Sequence, residues 1–573
     1  MSAREHHFDV AAFVARCALV GVAFMLAPSA SADVGAPAGP SPRSARHTSA
    51  SEIDNSTWVD HDGHPIPQPP EWEPSFWGHQ FREGVVEPFT HAFDIPDKML
   101  DIVHLLGADT RRGAVNTNAF DEAPNSTWFT NRNHVRSVPV AELRRGAHPA
   151  ALPAKPWTIK HAKQGGRTMG FQIKDADGAK WLVKLDPLGY PRLISGADRI
   201  AGTLLHAAGY NIPHNELVRF HRADLTIDAD LLSGAEGELF TEADLDSLLA
   251  RSAILGDGSY AAMASLFLSG RVLGAPSMRR LRPGDSNDWY AHKNRRELRG
   301  LFVLCSWLNS WDTKDHNCLD TFVETGDSLG HVEHYFLDVG ASLGAGGKGP
   351  KALWDGYETS VDFGWIARRF VTLGFVDEPW RRAQQETGIP SVGNFESEVY
   401  EPEDFRTYIL HPAFREMTDQ DGYWGAKIVA SFSDAQIAAV VDGVEYEDPR
   451  ANEFLVRALI ERRDKVARHW FGRIAPLDFF HVRDGALHFH DLAVDVGLDG
   501  ARAYDIDVRS SGGSRAERQR IQLNRTELPL SDFGGTAQRL SLKISVAGSS
   551  AKASYVELTR KDSGWVVTRV RHG

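Results

Sequence analysis

Trp311-Asp312-Thr313-Lys314-Asp315-His316-Asn317 closes an apolar helical stretch, and a short way downstream the chain reads Tyr335-Phe336-Leu337-Asp338-Val339-Gly340. The helix is predicted over 295–310, where Leu298, Leu301, Phe302, Cys305 and Leu308 fall on one stripe. The loop after it presents Asp-x-Lys-x-x-Asn, and the second stretch is a short apolar strand ending in Asp-x-Gly. Phosphoryl transfer requires such parts. One carboxylate orients or deprotonates an acceptor hydroxyl, a second carboxylate and an amide oxygen hold magnesium against phosphates, and a lysine neutralises developing charge. Taken alone, Asp312 and Asn317 equally suit turn positions after a helix, and Asp338 suits a strand-end turn.

Upstream, Phe171 to Lys174, the turn Asp175-Ala176-Asp177-Gly178 and Trp181 to Leu185 read as strand, hairpin, strand. Lys184 lies on the second strand, where a snorkelling surface lysine is the plain alternative. A helix follows, with Ser195 as expected N-cap, Ala197, Ile200, Ala201, Leu204 and Ala208 on its apolar face, and Gly209 as its end. Asp198 stands near its start, where an acid also favours the helix dipole. Asn215 to Phe220 reads as another strand. The stretch from Lys163 to Gly170 carries Gly165, Gly166 and Gly170, as an ordinary hairpin or as one that covers phosphates.

The order of lysine strand, helix, Asp-x-Lys-x-x-Asn loop and Asp-x-Gly, over residues 157–471, resembles the protein-kinase-like superfamily. Several departures point to atypical members, such as HipA-type, spore-coat CotH-type, secretory-pathway and phosphoinositide kinases. Ser310-Trp311 stands where His-Arg is usual, Val339 is the middle residue of Asp-x-Gly, and no Ala-Pro-Glu follows. Asp198 is shorter than the usual glutamate, and the glycine loop is Gly-Gly-x-x-x-Gly. The whole chain is also similar to a family of exported bacterial proteins. The resemblance implies an α+β, bilobal fold with a β-rich N-lobe and a helical C-lobe. It implies Asp312 as catalytic base, Asn317 and Asp338 as Mg²⁺ ligands, and Lys314 at the γ-phosphate. Lys184 would contact the α- and β-phosphates and pair with Asp198. Gly165, Gly166 and Gly170 would let backbone N–H groups approach phosphate, as a nest does. Leu343 to Lys348 would begin a flexible activation segment. The implied cofactors are ATP and Mg²⁺. The acceptor is a hydroxyl on a protein, lipid, glycan or small molecule, and a reversed nucleotide would transfer AMP instead. The competing reading is a catalytically degenerate pseudokinase that serves as an envelope or extracellular binding module.

Composition bounds these readings. The chain has 573 residues, 63 Lys+Arg against 76 Asp+Glu, and a net charge of −13, which argues against a general nucleic-acid binder. Three cysteines exclude a disulfide scaffold. After a start carrying Arg4 and Arg16, residues 17–27 form an apolar run of signal-peptide length, and Ala30-Ser31-Ala32 supplies a cleavage site. The expected organisation is a signal peptide over 1–32 and a disordered linker over 33–52. An irregular N-terminal extension over 53–156, an N-lobe over 157–222, a helical C-lobe over 223–471 and a C-terminal β-sandwich over 475–573 follow. Export to the periplasm or outside the cell follows from the first of these, and no later stretch is apolar enough to span a membrane. With Cys17 removed, Cys305 and Cys318 are either one disulfide or two buried thiols. Asp60-His61-Asp62-Gly63-His64 and His488-Phe489-His490-Asp491 carry ligand-type residues but not zinc spacing. No Gly-x-Ser-x-Gly or His-Glu-x-x-His motif supports a hydrolase.

Overall fold

The structure, a computed structural model, describes residues 60, 62–75, 111–146, 152–162, 168–233, 238–360, 369–375, 378–382, 387–511, 517–533 and 537–573, with isolated positions at 78, 81, 82, 86 and 366. The expected signal peptide and linker lie outside these residues, as do Gly165 and Gly166.

The first sheet has six strands: β1 (Trp157–Ala162), β2 (Gly170–Lys174), β3 (Lys180–Leu185), β4 (Asn215–Phe220), β5 (Leu225–Ile227) and β6 (Tyr260–Leu266). Their order is β4-β6-β3-β2-β1-β5. Only β1 and β5 pair in parallel. Gly178, at φ +90°, turns β2 back into β3, a backbone conformation that glycine adopts without strain. Trp157, Ile159, Phe171, Ile173, Trp181 and Val183 sit at alternate positions and share one apolar core. The sheet therefore runs past the boundary expected at 222, because β6 inserts between β3 and β4. Its Ala261-Ala262-Met263-Ala264 run is buried throughout and has no period-two alternation to mark it as a strand.

Helix α1 (Leu193–Ala208) starts two residues before Ser195. Ser195 is not its cap. The Asp186 carboxylate takes the orphan N–H groups of Ile194 and Ser195, each at 2.9 Å, and the Ser195 hydroxyl at 2.5 Å. Gly209 ends the helix at φ +139°, as the sequence predicts.

The second lobe is built on α2 (Arg296–Leu308), which is buried along almost its whole length. Against it pack α3 (Asp419–Ala430) and α5 (Pro449–Arg473), with α4 (Asp434–Asp442) beside α5. Capping boxes at Thr418 with Asp421 and Ser433 with Gln436 start α3 and α4. The α5 region reads from sequence as a solvent-facing amphipathic helix, yet Arg462 turns inward. It donates to the carbonyls of Ser306, Trp307 and Glu396 at 2.5, 2.8 and 2.6 Å. Two of these lie in the last turn of α2, where carbonyls lack helical partners and a cation is favoured. The lobe also carries strands within the span expected to be helical: β7 (Arg271–Gly274), β8 (Cys318–Gly326) and β9 (Leu329–Phe336). Ile66–Pro67 adds an edge to this sheet beside β9.

Residues 111–146 wrap the two lobes. Trp128 and Phe129 are buried, and Phe129 bridges Tyr210 and packs on Trp424 of α3. Beyond α5, β10 (Leu477–Arg483), β11 (Ala486–Asp491) and Glu527–Pro529 form one small sheet. The strands β12 (Tyr504–Ser511), β13 (Glu517–Leu523), β14 (Arg539–Val546), β15 (Ser554–Lys561) and β16 (Gly564–His572) form a second, in the order β13-β12-β14-β15-β16. Phe480 and Leu487 from the first share a core with Ile506, Leu542 and Val556 from the second. Cys305 and Cys318 are free and buried. No helix among the described residues is long and apolar enough to cross a membrane.

Candidate active site

Three charged side chains from three elements meet. Lys184 on β3 donates to Asp198 Oδ2 on α1 at 3.2 Å and to Asp338 Oδ1, just after β9, at 3.1 Å. Asp198 is fully buried, Lys184 is 5% exposed, and the Asp338 side chain is 41% exposed. One end of the cluster is thus fixed in the interior, and the other opens to solvent. The second Asp198 oxygen accepts from Asn215 Nδ2 at 2.8 Å, and Asn215 Oδ1 accepts from Ser265 Oγ at 2.5 Å. Burial works against the Lys184 ammonium, but Asp338 and then Asp198 more than reverse it and hold its pKa well above the usual lysine range. Burial pushes the Asp198 carboxyl up, against the opposing pull of Lys184.

Two glycines permit this assembly. A Cβ on Gly340 would lie 3.1 Å from Ile194 Cγ2 and 3.4 Å from Asp198 Oδ2, so a bare backbone lets Asp-x-Gly lie along α1. Gly170 sits opposite Lys184 in the β2–β3 pair, where a Cβ would collide with the Val183 carbonyl. Strand packing alone accounts for glycine at 170. The Gly165 and Gly166 roles fall on residues that are not described.

The second part of the site is the loop after α2. Lys314 Nζ donates to both Asp312 oxygens, at 2.7 and 2.8 Å. Asn317 Nδ2 donates to the Asp312 carbonyl at 2.6 Å, and no hydrogen bond among the described residues falls on its Oδ1. The β8–β9 hairpin brings this loop to Asp338. Cys318 pairs with Phe336, so Asn317 and Leu337 leave the hairpin side by side, and Leu337 N–H donates to the Asn317 carbonyl at 2.8 Å. Trp311 N–H reaches the Ala341 carbonyl at 3.3 Å, on the far side of Asp-x-Gly. The loop and the Asp338 segment are therefore stitched together on both sides.

No group of three or more His, Cys, Asp or Glu side chains that could hold a metal occurs among the described residues. The Asp338 carboxylate and the Asn317 amide oxygen are hard donors. Two such ligands suit magnesium or manganese, which complete their shells with water and phosphate oxygens. Asp62 is spent on Arg295 and Thr127, and His490 on Asp495.

Several supporting residues carry no sequence signal. Asn215 reads only as a strand start, yet it anchors Asp198. Tyr408, whose N–H donates to the Trp311 carbonyl at 2.8 Å, belongs to no motif. The segment after Asp-x-Gly is not an open loop. Ala345–Gly346 pairs with Gly349–Pro350, and the Gly344 carbonyl accepts from Lys351 and Asn394 N–H groups at 2.9 and 3.0 Å.

A β-rich lobe carrying the lysine, a helical lobe carrying the Asp-x-Lys-x-x-Asn loop, and Asp-x-Gly beside both make this a bilobal α+β, protein-kinase-like fold. Among solved structures, the chain is similar to the Helicobacter pylori proinflammatory kinase CtkA, at 12% identity and a TM-score of 0.30, over 55% of this chain and 96% of that one. It is also similar to the Golgi casein kinase with Mn/ADP bound, at 11% identity and a TM-score of 0.27, over 58% of this chain and 74% of that one. Both likenesses are too remote to assign a chemistry. No protein-family model matches the chain, and no curated protein matches it significantly.

Proposed function

We propose that this chain is an exported, atypical kinase-like phosphotransferase that uses Mg²⁺-ATP to modify a hydroxyl-bearing acceptor. The observation that carries this reading is the Lys184 ammonium, buried and fixed between Asp198 and Asp338, with Asn317 next to the Asp338 segment. A lysine held charged at a site that opens to solvent on one side suits nucleotide phosphates.

Bound Mg²⁺-ATP supplies the transferable phosphoryl group. Lys184 would steady the α- and β-phosphates, and Asp338 with Asn317 would hold the metal. Asp312 would accept the proton of the acceptor hydroxyl as its oxygen bonds to the γ-phosphorus and the bond to ADP breaks. Lys314, already on Asp312, would neutralise charge on the transferring group. Rate would come chiefly from positioning and preorganised charge. Transfer of AMP would use the same residues with the nucleotide reversed. Export rests on the apolar run before Ala32, and Edman sequencing of protein recovered outside the cytoplasm should begin at Asp33.

Single-turnover transfer from γ-labelled ATP to an extract of envelope material tests the reading. We expect label on an acceptor with the wild-type chain and a loss of about 10²–10⁴-fold in Asp312→Ala, with nucleotide affinity unchanged. Undiminished transfer by that variant would remove Asp312 from the chemistry. Nucleotide binding without any transfer would favour the degenerate binding module.

A further inference from the structure

The C-terminal five-stranded sheet has one greasy face and one charged face. Along β12, β14 and β15, Ile506, Val508, Leu542, Ile544, Val556 and Leu558 are buried, and the residues between them point away. Those outward residues surround a shallow depression of about 680 Å³. Arg509, Arg518, Arg520, Lys543, Arg569 and Arg571 line it, against only Asp507 and Glu557. In a chain of net charge −13 this is a strong local reversal. Arg520 reaches Asp507 at 3.5 Å, and Arg571 lies over the Tyr555 ring at 4.7 Å. Lys543 and Arg569 face Asp507 and Glu557 across neighbouring strands, whereas Arg509 and Arg518 make no ion pair among the described residues. Register sets Arg509 directly opposite Arg518 on β13, a like-charge cross-strand pair that costs stability. A sequence that keeps such a pair on an open face breaks a local rule that an anionic ligand would repair.

We propose that this face binds an acidic polysaccharide, a linear chain of sugars bearing carboxylates. Arginine forks match carboxylates with two parallel hydrogen bonds. Ser541, opposite Arg509, stands among the cations and suits a sugar hydroxyl. Neighbouring strands are about 4.8 Å apart, close to the length of one sugar unit, so a chain crossing the strands meets side chains at its own repeat. A lipid surface fits less well. None of the large exposed apolar side chains among the described residues lies in 475–573, so nothing there would insert. Single-stranded nucleic acid stacks bases on aromatic rings, and Tyr555, the aromatic ring lining the depression, is covered by Arg571.

The test is equilibrium binding of the full chain to polygalacturonate, beside polyphosphate, single-stranded DNA and phosphatidylglycerol vesicles. We expect saturable, salt-sensitive binding that is tightest for polygalacturonate. Arg509→Glu with Arg518→Glu should weaken it on the order of 100-fold, the loss of two charge-assisted contacts. Arg518→Gln alone should weaken binding several-fold while raising Tm, because it relieves the opposed charges. This second variant separates lost binding from lost folding. Tighter binding to DNA, polyphosphate or vesicles, equal binding by the double variant, or a lower Tm in Arg518→Gln would each overturn the proposal.

Discussion

Lys184 and Lys351 are buried almost equally, at 5% and 3% exposure, and their pKa values move in opposite directions. Lys184 meets two carboxylates, and its charged form is favoured far above the usual range. Lys351 follows the small hairpin beyond Asp-x-Gly and donates to the Asp355 and Ala352 carbonyls, at 2.6 and 3.4 Å. Burial dominates there, against the smaller pull of Asp355, and its pKa falls to about 7. Burial alone therefore does not set a lysine's charge; the partner supplied by the fold does. The chain keeps a fixed positive charge where phosphates would sit, and a lysine that titrates near neutrality just beyond Asp-x-Gly.

The most damaging way to break this contrast is to strip Lys184 of its interior partner. Asp198→Ala leaves the ammonium with only the solvent-facing Asp338. We expect a loss of about 3 kcal/mol in unfolding free energy, read by urea titration, in line with other broken buried pairs. A loss below about 1 kcal/mol would mean that Lys184 does not depend on Asp198.

A smaller effect separates Lys351 from Lys184 by pH. The unfolded lysine stays protonated up to its ordinary value of 10.5, whereas the folded one loses its proton near 7. The unfolded state thus binds more protons between these values, and stability rises with pH across that window. Lys351→Met should flatten this rise in Tm between pH 7 and 10 and be tolerated at pH 7. An unchanged pH profile in the variant would show that Lys351 stays charged.

The smallest effect sharpens a second contrast, between the interior cluster and the loop. The Lys314 and Asp312 side chains are 17% and 24% exposed and close in sequence. Lys314→Ala should cost less than about 1 kcal/mol of stability, as partly exposed pairs do. Its transfer rate should nonetheless fall. A stability loss as large as that of Asp198→Ala would make Lys314 structural.

The parts legible in the sequence were those with local chemistry. The β2–β3 hairpin announces itself by alternation and the Asp-Ala-Asp-Gly turn, and α1 by its apolar stripe and Gly209. The order of motifs was enough to suggest that Lys184, Asp198 and Asp338 belong together, and the structure places them in contact. What escaped was long-range. The strand β6 is an alanine-rich run whose two neighbours, β3 and β4, make it a strand. The α1 cap is Asp186, outside the helix, rather than Ser195 within it. Arg462 reads as solvent-facing because its partners are backbone carbonyls, which leave no trace in residue identity. Asn215 is invisible for a different reason: its partners are the side chains of Asp198 and Ser265, and only the fold brings it to them.

The central claim, a metal-dependent nucleotide site at Lys184 and Asp338, is tested most directly by thermal unfolding of the full chain with Mg²⁺ and ATP or ADP, beside Asp338→Asn. Nucleotide at about 100 times its dissociation constant should add roughly 2.7 kcal/mol of stability, which a melting curve resolves. The account predicts a rise in Tm that needs both metal and nucleotide and vanishes in Asp338→Asn. No rise in the wild-type chain, or an equal rise in the variant, would contradict it.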